Sequence, residues 1–202
     1  QVPFTYMTNC RLTDPEFERG VKDFLAVCNV VKVFRHTRIL QIAPRPFDFW
    51  STMCNEGELL EKFNIQLSPI PLPELTAQVK KAKEEGTEVK AVMDYCEEKM
   101  NVCITEEQLE NIAALKVAMR RLADQYGCNA VAIQCWNALQ GELGIMPCAA
   151  NSLLNEEGLP VVCETDIHGA ITAVMAEAAL RWKKREGWKQ AVETLLTRPG
   201  TK

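Results

Sequence analysis

Apolar positions follow two rhythms along this chain. Short runs with little polar alternation fall at 38–43 (RILQIA), 65–70 (IQLSPI), 130–134 (AVAIQ) and 160–163 (PVVC). Runs of that length and content read as strands buried on both faces. Between them apolar residues recur every three or four positions. Phe17, Val21, Phe24, Leu25, Cys28 and Val31 make one such face, and Leu109, Ile112, Leu115, Met119 and Leu122 another. That spacing predicts amphipathic helices. Thr13 or Asp14 caps the first, with Pro15 in its first turn. Thr105-Glu106-Glu107-Gln108 opens the second as a capping box, and it ends at Gly127. Shorter helices are predicted over 58–63 and 138–143, a helical turn near 149–155, a helix over 167–180, and helices broken near Gly86 over 74–100. Residues 2–8 (VPFTYMT) read as a further strand. Strands separated by helices predict an α/β fold: a three-layer α-β-α arrangement around a mainly parallel open sheet, Rossmann-like in plan.

Polar residues at the ends of these strands carry the candidate chemistry. The run Leu159-Pro160-Val161-Val162-Cys163 stops at Glu164, and small and capping residues follow before the next helix. The run 130–134 ends in Gln134, Cys135 and Trp136. In open α/β sheets the carboxyl edge is where ligands bind, so Glu164 and Gln134 are expected to share a site there. Strand 38–43 stops at Pro44-Arg45-Pro46, and the aromatic group Phe47, Phe49, Trp50 and Met53 follows. These aromatics, like Trp136, read more readily as core than as a platform for a ligand. Gln134 is read equally as a buried amide satisfying the backbone. Asp166 is expected to cap the helix rather than bind metal. His168 follows in an E-x-D-x-H pattern, but a helix start between the three keeps them from converging.

Composition narrows the partners. The chain is 47% hydrophobic and 25% charged, as expected for a globular protein with a substantial core. Its net charge of −4 argues against nucleic acid. The charge is uneven: residues 181–202 carry +5, against −9 for the rest, and read as a basic helical tail with a solvated face. There are nine cysteines and no C-x-x-C pair. Zinc-type spacing is therefore missing, and reduced thiols in a cytoplasmic protein are expected. No run is long enough to span a membrane, and none reads as a signal peptide.

Residues 38–180 resemble the middle domain of the L-fucose isomerase/L-arabinose isomerase-like family. The segments that carry the likeness are RILQIAPRPFDFW (38–50), LLEKFNI (59–65) and YGCNAVAIQCWNALQGELGIMPCAANSLLNEEGLPVVCETDIHGA (126–170). Residues 1–36 resemble the end of that family's first domain and its connecting helix. The resemblance implies three segments: 1–36, a middle α/β domain over 37–180, and a divergent tail over 181–202. It implies a cytoplasmic, homo-oligomeric aldose–ketose isomerase acting on a small sugar. Manganese would stabilise an enediol while carboxylates carry the proton between C1 and C2. Glu164 matches the family's first metal-ligand glutamate and a candidate acid/base. Gln134, Arg45 and Trp136 would contact substrate. Where the family continues into a strand bearing a ligand aspartate, and later a histidine, this chain reads LRWKKREGWKQAVETLLTRPGTK. The expectation is a piece of an isomerase that is inactive alone. The alternative is a non-catalytic sugar- or phosphate-binding module, or an assembly remnant.

Overall fold

The computed structural model describes residues 4–184, with the side chains of 182–184 left aside. They fall into two compact units: Phe34–Val174, and the described residues up to Val33 together with those from Met175 on. The basic tail expected over 181–202 lies, from 185 on, outside the described residues.

The unit Phe34–Val174 holds four parallel strands: β1 (Arg38–Ile42), β2 (Gln66–Ile70), β3 (Ala130–Ile133) and β4 (Val161–Val162). Their order across the sheet is β2-β1-β3-β4. The chain steps from β1 to one side and then returns to pair β3 on the other. The order therefore reverses between β1 and β3, which makes the carboxyl ends of these two strands the switch point of the sheet.

The helices beside the sheet are α2 (Glu56–Phe63), α3 (Leu72–Glu85), α4 (Thr87–Lys99), α5 (Glu106–Gln125), α6 (Leu139–Leu143) and α7 (Cys148–Glu156). Leu40, Ile42, Val131, Ile133 and Val161 join one core with residues of α3, α5 and α7. Alternation puts Ile39, Ala130 and Ala132 on the opposite face, and they too are fully buried. Both faces are thus covered, the expected three-layer α/β arrangement. α5 is the central helix. Leu115, Met119 and Leu122 are fully buried there, and it packs on α3, α4, α7 and β3. Its start is the predicted capping box: the Thr105 side chain accepts from the Gln108 N–H, and the Gln108 side chain from the Thr105 N–H. α3 and α4 break at Gly86, whose φ of 72° suits a residue without Cβ.

β2 is an edge strand. Gln66 N–H donates to the Thr37 carbonyl and Ala43 N–H to that of Ile70, at 3.1 and 2.9 Å. Even-numbered residues of β2 therefore face β1, while Leu67 and Pro69 present their backbone outward. A proline is tolerated in a strand where its missing N–H faces away from the ladder.

The other unit contains α1 (Pro15–Phe34) up to Val33 and, from Met175, the later part of α8 (Ile167–Lys184). Asn29 Nδ2 donates to the Ala178 carbonyl at 3.0 Å within it. The start of the chain departs from expectation. Residues 4–8 form no strand, and Phe4 and Tyr6 are 89% and 87% exposed. A strand needs a ladder partner, and none exists for this segment among the described residues. The apolar stripe of α1 is only partly covered among the described residues: Phe24 and Val31 are exposed, and Phe17, Val21 and Leu25 half-buried. No described helix is long and apolar enough to cross a membrane.

Candidate functional site

The carboxyl edge of the sheet concentrates unusual backbone. Five described residues other than glycine have positive φ, and four follow strand ends: Ala43 after β1, Asn137 after β3, Glu164 and Thr165 after β4. A left-handed conformation costs an L-residue about 1–2 kcal/mol, and a β-branched threonine there is an outlier. The surroundings hold these residues in place. Thr165 is buried; its N–H donates to the Ile133 carbonyl at 3.1 Å, and its hydroxyl to the Pro44 carbonyl at 3.3 Å. Gln134 N–H donates to the Ile42 carbonyl at 3.0 Å. The ends of β1, β3 and β4 are thereby stitched together. Glu164 and Gln134 lie on one edge, beside the switch point.

In a regular strand, consecutive side chains point to opposite faces. The left-handed turn at Glu164 breaks that alternation, and its carboxylate shares one cluster with the thiols of Cys163 and Cys135. The Cys135 thiol donates to Glu164, with Sγ 3.2 and 3.1 Å from Oε1 and Oε2. Burial first, and then the carboxylate that accepts its proton, push this thiol up to about 12. Burial also raises Cys163. Asn151 Nδ2 donates to Cys163 Sγ at 3.3 Å. Asn151 is only 6% exposed, and its Oδ1 has no partner among the described residues.

A cleft of about 260 Å³ opens beside these strand ends, lined by Gln41, Pro44, Arg45, Cys54, Glu56 and Thr165 among others. Gln41 lines it, and its Oε1 is buried without a described partner. Arg45 Nη1 donates to the carbonyls of Pro46 and Phe47 at 3.0 and 2.9 Å, and the guanidinium lies 5.0 Å from the Trp50 ring centroid. Those contacts fix the arginine at the cleft wall with other N–H groups to spare.

The aromatics differ from the expected core packing. Phe47, Trp50 and Trp136 are 85%, 69% and 48% exposed. They sit on loops beyond the strand ends, past the reach of the core. Trp136 meets Phe49 edge to face, with centroids 5.3 Å apart, which links the segment after β3 to the loop after β1. Asp166 caps α8 as expected, accepting from the Gly169 N–H at 2.9 Å. His168 is exposed and takes no part in the cluster around Glu164.

The structure thus gathers Glu164 and Gln134 at one edge, with Arg45 and Trp136 on the adjoining segments. It adds three residues that sequence reasoning missed. Cys135 reads as a small hydrophobe yet holds Glu164. Gln41 is an amide inside the apolar run RILQI, a signal that was available. Thr165 joins β4 to β1 through a conformation the sequence does not announce.

Manganese prefers oxygen and nitrogen ligands. Among the described residues the one group of three potential ligands is Cys135, Cys163 and Glu164, which offers a single carboxylate and two thiols. Those residues alone do not suit manganese.

No family model matches the chain. It is similar to curated proteins named sulfoquinovose isomerase. The protein from Alkalicoccus urumqiensis is 29% identical over 150 residues, which are 72% of this chain and 33% of that relative. Those from Priestia aryabhattai and Priestia megaterium are each 25% identical over 146 residues, 72% of this chain and 32% of theirs. The chain therefore spans about a third of the length of the curated relatives it matches.

Proposed function

We propose that this chain is part of a sugar isomerase that interconverts an aldose and its ketose, with Glu164 as the group that carries the proton. The observation that carries the reading is a half-buried carboxylate, held by a thiol donor in a left-handed turn at the switch-point edge, in a chain similar to sulfoquinovose isomerases. Isomerisation requires a base to take the proton from C2 and return it to C1, while a hydroxyl proton moves between O1 and O2. The Glu164 carboxylate is suited to the carbon-bound proton. The Cys135 thiol fixes the carboxylate's position. Arg45 and the Gln41 amide, which line the neighbouring cleft, are suited to an anionic substituent such as a sulfonate and to sugar hydroxyls. Gln134 and Trp136 would flank the same edge. A homo-oligomer in the cytoplasm belongs to this reading, and nine free cysteines favour a reducing compartment.

The test is ketose formation from sulfoquinovose, L-fucose and L-arabinose, run beside calorimetric binding of each sugar. Turnover abolished by Glu164→Gln with binding retained is the expected result. Binding without turnover would favour a non-catalytic sugar-binding module instead. Folded protein that neither binds nor converts any of the sugars would end both readings.

A further inference from the structure

We propose that Cys135, Cys163 and Glu164 form a binding site for a thiophilic divalent cation of the zinc class. The two Sγ atoms and a carboxylate oxygen lie within 4.8 Å of one another. Around tetrahedral zinc, with bonds of about 2.0–2.3 Å, neighbouring ligand atoms sit about 3.5–3.8 Å apart. Cys135 Sγ is already 3.1 Å from Glu164 Oε2. The cluster closes on an ion through small side-chain rotations, without moving a strand.

Three features distinguish this cluster from a chance meeting of side chains. Cys163 and Glu164 are adjacent, and with a positive φ of 56° at Glu164 both lie in one cluster with Cys135. A conformation that costs free energy is held at the point where the three ligands meet. Second, the Asn151 amide, buried beneath, donates from Nδ2 to Cys163 Sγ. An N–H donor to sulfur is the outer contact a metal thiolate uses. The other end of that amide, Oδ1, is buried without a described partner. Third, the set is two sulfurs and one oxygen, which selects zinc-like ions over manganese or magnesium. Both thiols release their protons to solvent as the cation binds. The site rests on these side chains alone; a cation held here takes up the Glu164 carboxylate and displaces the Cys135 proton, so it competes with the proton transfer proposed for Glu164.

The probe is Co²⁺ added to the reduced, untagged, chelator-treated protein. The expected result is a thiolate-to-cobalt charge-transfer band that saturates at one equivalent and is bleached by Zn²⁺. Cys135→Ser and Cys163→Ser should each weaken binding ~10-fold or more, with the far-ultraviolet circular dichroism unchanged. Because a variant can misfold, the wild type carries a second readout. Zn²⁺ should slow alkylation of Cys163, mapped by mass spectrometry, and leave the exposed Cys28 and Cys103 unaffected. A band that persists in the Cys135→Ser/Cys163→Ser double variant, or alkylation of Cys163 that Zn²⁺ does not change, would overturn the proposal.

Discussion

Replacing Cys135 by alanine should flatten the alkaline limb of the protein's stability curve. Cys135 is 4% exposed and donates its proton to Glu164. Burial and that acceptor hold the folded thiol protonated up to about 12, against an ordinary value of 9.0. The unfolded thiol ionises at the ordinary value. The folded pKa lies above the unfolded one, so this contribution to stability is complete below about pH 9 and is lost as the pH rises toward 12. Within that window each pH unit costs about 1.4 kcal/mol. At about pH 10.5, a unit and a half into the window, the loss is about 2 kcal/mol. Cys54, Cys96, Cys128 and Cys163 are raised by burial as well, so the wild type has an alkaline slope from several thiols. Comparison with Cys135→Ala removes the share of this thiol, together with its influence on the neighbouring Cys163. Any packing cost of the substitution is present at both pH values and cancels. The assay is urea unfolding of reduced, chelator-treated protein at about pH 8 and about pH 10.5. The wild type should lose about 2 kcal/mol more than the variant between the two. Equal losses, to within about 0.5 kcal/mol, would refute the argument that the Cys135 proton is held by burial and Glu164.

Leu115→Ala, in the middle of α5 and fully buried, should cost about 2–5 kcal/mol in the same unfolding assay at neutral pH; a cost under about 1 kcal/mol would mean that α5 is not the centre of the core. Thr105→Ala removes the capping box and should cost about 1 kcal/mol, with helix content read by circular dichroism falling little. Gln41→Leu replaces a buried amide whose oxygen lacks a described partner. Stability should stay within about 1 kcal/mol of wild type, while sugar binding measured by calorimetry weakens ~10-fold. A large loss of stability with binding intact would show that the amide is structural.

The sheet was legible because its strands are nearly continuous apolar runs, the mark of strands buried on both faces. The capping box of α5 and the break at Gly86 were legible for the same kind of reason: each rests on local chemistry that few residues supply. The shared edge of Gln134 and Glu164 followed from the parallel arrangement alone. What could not be read was the contact between neighbours at that edge. Cys135 and Cys163 look like core residues in an apolar run. Nothing local says that Glu164 and Thr165 turn left-handed, because the conformation is imposed by the bonds from Thr165 to Ile133 and Pro44. The aromatics after β1 were misread because a hydrophobic cluster in sequence does not reveal on which side of the strand ends its loop lies. The segment 4–8 has strand-like composition, but composition supplies no partner to pair with.

Pro69 closes one frontier of the sheet. A strand laid along the outer side of β2 would find Leu67 as that strand's only outward N–H donor, because the other outward residue is the proline. The flank beyond β4 is closed by a side chain instead. Val161 N–H donates to Asn155 Oδ1 at 3.2 Å, and Asn155 Nδ2 donates to the Val161 carbonyl at 3.1 Å, so the backbone that β4 turns outward is already engaged. One frontier is short of a donor and the other has its donor taken, so the sheet resists extension by edge pairing on either side.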